Sequence, residues 1–240
     1  MNELHLFAGA GGGILGGMSL GHTPCCAVEI NPYARKVLIA RQRDGMLPRF
    51  PIWDDITTFD AREWRGIADV VCGGFPCQDI SAGNANGQGL NGKRSGLWGE
   101  MARVVREVEP RFVFVENSPM LLVRGMGVVI GDLAEMGYDA RWGVYSANDV
   151  GAPHERKRIW IMGYAPGERL PEGSLDIREH STKPKESAGT WGGRRVDKPG
   201  IVGVVDGVAD WVDRLTAAGN GQVPRVASNA WKILGENDQV

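Results

Sequence analysis

Asp69-Val70-Val71-Cys72-Gly73-Gly74-Phe75-Pro76-Cys77-Gln78-Asp79-Ile80-Ser81 runs from a short apolar stretch into a glycine pair and then a Pro-Cys step. The apolar stretch predicts a buried strand, and Cys77 falls just beyond its carboxyl end, where open α/β sheets keep their active sites. Pro76 fixes φ and stiffens the turn that carries the thiol, and backbone N–H groups in such a turn can stabilise a thiolate. A free cysteine is more often a small buried hydrophobe than a nucleophile, so Cys77 acquires meaning only through partners elsewhere in the chain.

Working outward, strands and helices alternate. Leu4–Ala8 reads as a strand, Gly9-Ala10-Gly11-Gly12-Gly13 as a turn and Ile14–Leu20 as the helix that the turn opens. Cys25–Ile30 predicts a second strand, and Pro32–Arg43 a helix with Asn31 as cap and proline at its first position. Asp69–Cys72 and Phe112–Val115 add strands around a helix near Trp98–Val108. A helix over Val128–Met136 then precedes closing strands at Ala140–Tyr145 and Ile159–Met162. This order predicts an α/β fold with a mainly parallel sheet and helices on both faces. The glycine cluster lets backbone approach a ligand at a helix amino terminus, and Glu29, ~20 residues further on, can accept hydrogen bonds from ribose hydroxyls. NAD and S-adenosylmethionine both satisfy that pattern.

Gly74-Phe75-Pro76-Cys77-Gln78, with Ser81 and Gly92-Lys93-Arg94-Ser95-Gly96-Leu97-Trp98, resembles the catalytic motif and loop of the DNA (cytosine-5) methyltransferases. Leu6-Phe7-Ala8-Gly9-Ala10-Gly11-Gly12, Val115-Glu116-Asn117-Ser118-Pro119, Gly151–Arg158 and Gly219-Asn220-Gly221-Gln222-Val223-Pro224 follow in the family's order. The resemblance implies a Rossmann-like, S-adenosylmethionine-dependent sheet that is mainly parallel with one antiparallel strand. It assigns the cofactor to Phe7, Ala8, Gly9, Gly11, Gly12, Glu29, Ile30, Asp55, Ile56, Pro76, Asn220 and Val223. Asp54-Asp55 has an ordinary alternative as a turn or helix cap.

The chemistry that the resemblance implies accounts for the residue types. Carbon 5 of cytosine is a poor nucleophile until a thiolate adds at carbon 6, the role that falls to Cys77. Glu116 would act on ring nitrogen N3, and a carboxylate beside so apolar a strand is costly as mere decoration. Arg156 would contact the base oxygen O2 and steady Glu116, with Arg158 supporting the pocket; on an extended strand their alternation puts both on one face. His154 stands where the family usually has Gln. Because the target atom is stacked in a duplex, the base must be flipped out. The stretch from Gln78 to Leu97, with five glycines and three asparagines, suits a lid. Gln78, Ser81, Lys93 and Arg94 are its candidate DNA contacts.

Domain organisation follows. Residues 1–164 form the catalytic and cofactor-binding part, 165–207 a short target-recognition segment and 208–240 a return to the catalytic part. About forty residues barely support a core, so the middle segment is a very small recognition region, with Arg194 and Arg195 as its candidate DNA contacts. The net charge of −2 does not advertise nucleic-acid binding, yet residues 150–200 hold ten Lys/Arg against seven Asp/Glu. A composition of 42% apolar and 23% charged residues is ordinary for a globular protein. No apolar run approaches a membrane span and no signal pattern opens the chain, so a cytoplasmic protein is expected. The four cysteines show neither zinc nor disulfide spacing, and His5, His22 and His180 no metal spacing, so no metal is expected. Double-stranded DNA is the expected partner, with a cognate restriction endonuclease as a further candidate and a monomer as the expected state. Two other readings stay open: a tRNA cytosine methyltransferase of the same fold, although the Cys-Phe-Thr signature of that branch is absent, and a DNA-binding protein with little catalysis.

Overall fold

In the computed structural model, which describes residues 1–76, 96–168 and 221–235, seven strands form one sheet in the order β3-β2-β1-β4-β5-β7-β6. The strands are β1 (Asn2–Leu6), β2 (Thr23–Val28), β3 (Ile52–Trp53), β4 (Val70–Gly73), β5 (Phe112–Asn117), β6 (Asp139–Tyr145) and β7 (Arg158–Tyr164). The helices are α1 (Gly12–Ser19), α2 (Pro32–Arg43), α3 (Gly96–Val108), α4 (Leu121–Arg124), α5 (Met126–Glu135) and α6 (Pro224–Gly235). Ladders β1–β2, β1–β4, β2–β3 and β4–β5 are parallel, whereas β7 opposes both β5 and β6. The expected single antiparallel strand is therefore β7.

From β1 the chain builds outward first toward β2 and β3, then returns to the other side for β4 and β5. The order thus reverses between β1 and β4, and in open α/β sheets the ligand crevice lies beyond the carboxyl ends of the strands at that switch point.

Alternating side chains divide the core between the two faces of the sheet. Leu4, Leu6, Val71, Val113 and Val115 pack with Met101, Val104, Val105 and Val108 of α3 and with Val129 and Leu133 of α5. On the opposite face Val70, Cys72, Phe114, Trp160 and Met162 meet Val226, Ala227, Ala230 and Leu234 of α6. Ala27 there joins Ile14 of α1 and Leu38 of α2.

The two helices that follow β1 and β2 start differently. Asn31 Oδ1 accepts from the N–H groups of Tyr33 (2.9 Å) and Ala34 (3.0 Å), the cap the sequence predicts for α2. At α1 the cap is Gly11 at φ 91°, with no capping side chain. The first N–H groups of α1 therefore remain available at the switch point. Behind them α1 lies almost in contact with the segment leading into α6. A Cβ on Gly12 would overlap the Gln222 carbonyl, one on Gly13 the Gln222 side-chain oxygen, and one on Gly16 would come within 2.8 Å of Ala227 Cβ.

Candidate active site

The predicted cofactor residues converge on this crevice from four strand ends. Phe7, Ala8, Gly9 and Gly11 follow β1, Glu29 and Ile30 follow β2, Asp55 and Ile56 follow β3, and Pro76 follows β4. Phe7 takes φ 52°, in the left-handed region that non-glycine residues rarely adopt, so the chain bends sharply as it leaves the sheet. Ala8 N–H donates to the Val28 carbonyl at 3.1 Å, which ties the loop to the end of β2.

Glu29 is buried, and backbone holds its carboxylate: Gly9 N–H donates to Oε2 at 2.6 Å and Asn31 N–H to Oε1 at 2.7 Å. Each oxygen keeps a second lone pair, so the pre-oriented group can still accept from a pair of hydroxyls. Ile30 beside it is 68% exposed, an apolar side chain without a protein partner to cover it. Asp55 does cap a turn, its Oδ1 accepting from Thr57 N–H (2.9 Å) and Thr57 hydroxyl (2.8 Å). Ile56 is buried in the main core, so its side chain serves packing. Val223 lies just before α6, where its carbonyl accepts from Val226 and Ala227 at 3.0 Å.

The other half of the crevice is built on β4 and β5. Gly73 and Gly74 bring the chain so close to its neighbours that a Cβ would overlap the Leu6 carbonyl and Glu116 Oε2, respectively. Phe75 packs on Trp98 with ring centroids 5.5 Å apart, and its carbonyl accepts from Asn117 Nδ2 at 3.1 Å. The chain leaving β4 is thereby anchored to β5 at Phe75. Cys77 itself, with Gln78, Ser81, Lys93, Arg94, His180, Arg194, Arg195 and Asn220, lies outside the described residues.

β5 runs two residues further than the apolar pattern predicts, so Glu116 sits inside the ladder, paired with Trp160. Its carboxylate is buried and meets Arg158 Nε at 2.9 Å. Burial raises its pKa, while the charges of Arg158 and Arg156 and hydrogen bonds from Gln222 and Arg158 pull it down; burial prevails. The carboxyl thus holds its proton more readily than an ordinary glutamate.

Arg156 reaches the site by another route than strand alternation. It precedes β7, which begins at Arg158, and adopts φ 37°. From there it donates Nη2–H to the Gly221 carbonyl at 2.6 Å. Burial and the Arg158 charge lower its pKa, with Glu116 acting the other way. The expectation that both arginines share one face of an extended strand is corrected: the backbone turns between them, and the two charges still reach Glu116. His154 is exposed.

Sequence reading missed two features. Gln222 falls in a quoted motif but was not singled out, and the structure puts its amide against Glu116. The second lies beneath the glycine loop on the α6 face, where His5 and His22 gain a role that spacing alone could not reveal. His22 Nδ1 lies 2.7 Å from Glu3 Oε1, His5 Nε2 lies 2.9 Å from Glu3 Oε2, and Cys72 Sγ is 3.1 Å from His5 Nδ1. A cavity of about 20 Å³, lined by Glu3, His5, Cys72 and Gln222 among others, adjoins the cluster and is about the size of one water.

A switch-point crevice with an acidic residue after the second strand, facing the Glu116 carboxyl of β5 and the Arg158 guanidinium of β7, defines a doubly wound α/β protein. The chain belongs to the C-5 cytosine-specific DNA methylase family, whose model matches residues 1–201. It is 35% identical over 160 residues to type II methyltransferase M.CviJI of Paramecium bursaria Chlorella virus IL3A, covering 66% of this chain and 42% of that protein. Type II methyltransferase M1.HphI of Haemophilus parahaemolyticus matches at 33% over 192 residues, 76% of this chain and 50% of that protein. The chain thus spans about half the length of the curated relatives it matches. Among solved structures, a prophage-encoded protein described as a DNA modification methyltransferase (E. coli) superposes with TM-score 0.55 at 26% identity, covering 69% of this chain and 47% of that one. S. pombe Dnmt2 superposes with TM-score 0.57 at 22% identity, over 73% and 54% of the two chains, and shares the fold. Among the described residues no helix is long and apolar enough to cross a membrane.

Proposed function

We propose that the chain transfers a methyl group from S-adenosylmethionine to carbon 5 of cytosine in duplex DNA. The observation that carries this is the buried Glu116 carboxyl, paired with Arg158 and packed against Gly74 three residues before Cys77, beyond the same strand ends as the cofactor loop.

The residues present fit the cofactor. Glu29 offers fixed acceptors for ribose hydroxyls, Ile30 an apolar surface for a base, and the uncapped α1 N–H groups suit a carboxylate. When bound, S-adenosylmethionine supplies an electrophilic methyl group on a sulfonium. Phe7, Ala8, Gly9, Gly11, Gly12, Asp55, Ile56, Pro76, Asn220 and Val223 complete the proposed pocket.

The Cys77 thiolate adds to carbon 6 of the flipped cytosine, and the C5=C6 electron pair becomes available at carbon 5. Glu116, whose pKa burial raises, hydrogen-bonds ring N3 and shares its proton as negative charge develops. Arg158 holds the carboxyl, and Arg156 steadies the pocket while anchored at Gly221. After methyl transfer, loss of the C5 proton to a base restores the double bond and expels the thiolate. Gln78, Ser81, Lys93 and Arg94, together with Arg194 and Arg195 in a recognition segment at 165–207, are the proposed DNA contacts, and residues 208–240 return to the catalytic part. The proposed protein is a monomer acting inside the cell, and a cognate endonuclease as its partner agrees with the type II names of the relatives.

Tritiated-methyl transfer from S-adenosylmethionine to duplex DNA, with tRNA as a parallel acceptor and bisulfite sequencing of the DNA product, tests this. Transfer to tRNA alone, or to neither acceptor, would reject it.

A further inference from the structure

Gln222 touches both halves of the crevice. Its backbone carbonyl fills the space beside Gly12 and its side-chain oxygen the space beside Gly13, both in the first turn of α1, directly after the glycine loop. Its amide nitrogen lies 3.3 Å from the point where a Cβ on Gly74 would stand, the same point that Glu116 Oε2 crowds. The amide hydrogen-bonds Glu116. The amide is oriented with its nitrogen toward Glu116 and its oxygen toward Gly13. Gly221, one residue earlier, is pinned through its carbonyl by Arg156 at 2.6 Å.

We propose that Gln222 is a positioning residue for methyl transfer: it holds the Glu116 carboxyl on the side away from Arg158 and couples its orientation to the glycine loop that receives the cofactor. The proposal rests on the function proposed above. Arg158 grips Oε1 through a charge and the Arg156 charge also acts on the carboxyl, so a charged donor on Oε2 as well would favour the carboxylate further and work against the proton that N3 requires. A neutral amide fixes the plane of the carboxyl at a smaller cost to that proton. Because Gln222 also abuts Gly12 and Gly13, displacement of the loop together with the first turn of α1 displaces the amide, and the carboxyl loses its second support.

Gln222→Met keeps the volume and removes the donor; Gln222→Glu keeps the shape and adds a like charge. Three readouts decide: steady-state kinetics on duplex DNA, the pH dependence of kcat, and carbon-13 NMR titration of the Glu116 carboxyl. Gln222→Met is expected to lower kcat about ten- to a hundredfold, a typical cost of a misplaced group, with DNA KM changed less than about threefold. The Glu116 titration and the matching limb of the pH profile should move to higher pH, further for Gln222→Glu than for Gln222→Met. In a Glu116→Gln background, Gln222→Met should add no further loss of kcat, because the amide acts through that carboxyl. A purely structural role would lower kcat without moving the titration and would add to Glu116→Gln; either result overturns the proposal, as does unchanged kcat in Gln222→Met. If the wild type methylates neither acceptor, the proposed function fails and Gln222 loses its reaction, whatever the titration shows. If the wild type is active and the titration does not move, only the Gln222 proposal fails.

Discussion

Arg158 Nε lies 2.9 Å from Glu116 Oε1, with the arginine side chain 29% exposed and the glutamate side chain 10%. The pair is lopsided: the cation keeps contact with water while the carboxyl gives it up. Burial therefore dominates the carboxyl's titration even with a guanidinium in contact.

Glu116→Gln should lower kcat about 10²- to 10⁴-fold while S-adenosylmethionine affinity changes little, because the group acts on the base as charge develops. Glu29→Ala should do the reverse and weaken cofactor binding first. Calorimetry and steady-state kinetics on both variants check the assignment; exchanged phenotypes would invert it.

Cys77→Ala should abolish transfer, since no other thiol belongs to its motif. Wild-type protein should form a stable adduct with DNA containing 5-fluorocytosine, where fluorine cannot leave as a proton does. Denaturing gels of the two proteins incubated with that DNA and cofactor give the answer, and a retained adduct in Cys77→Ala would refute the nucleophile.

Two buried carboxyls should pull stability in opposite directions with pH. Burial alone would raise the Glu3 carboxyl, but His22 and His5 hydrogen-bond it and hold it down at about 2. Its ionised form then contributes stability above its unfolded-state pKa, lost as pH falls toward about 2, amounting to up to about 3 kcal/mol. For Glu116, whose folded-state pKa is raised, the contribution is present below the unfolded-state value and is lost as pH rises. Glu3→Gln should therefore be less stable than wild type at pH 7, with the gap closing as pH drops toward 3. Glu116→Gln should gain on wild type as pH rises. Urea unfolding at several pH values measures both trends.

Gly16→Ala should destabilise the fold by about 1–3 kcal/mol, because the new methyl would press on Ala227 Cβ 2.8 Å away and on the Pro224 carbonyl at 3.0 Å. Adding Ala227→Gly should restore part of that loss. Equal melts for the single and double variants would show that α1 and α6 do not touch there.

Replacing Arg194 and Arg195 together by Ala should weaken duplex binding and flatten its salt dependence, since each phosphate contact releases counterions. Cofactor affinity should stay the same. Unchanged binding and salt slope would exclude the 165–207 segment as the DNA-reading element.

The parallel sheet was legible because its strands are short apolar runs between glycine turns and capped helices; α2 begins and ends where Asn31, Pro32 and Arg43 place it. β3 escaped, since two residues carry no periodicity. Glu116 and Glu29 stood out as acids at the ends of apolar strands. The turn at Arg156 was invisible because alternation in sequence assumes an extended backbone. Gln222, Glu3, His5 and His22 were beyond reach for a different reason: their partners come from distant segments, and only the fold brings β1, α6 and β5 together.

The close seating of α6 on the glycines of α1 joins the start of the chain to residues more than two hundred positions later. A ribosome makes these segments in order, so α1 emerges long before the helix that backs it. Until residues 221–235 are released, the glycine loop lacks the Gln222 carbonyl behind it, and Val70, Cys72 and Phe114 lack their apolar cover. Such a topology is slow to close and leaves that sheet face sticky in the meantime. The same delay leaves the crevice incomplete until residues 221–235 have been made, so chains that stall before residue 221 should bind chaperones instead of methylating DNA.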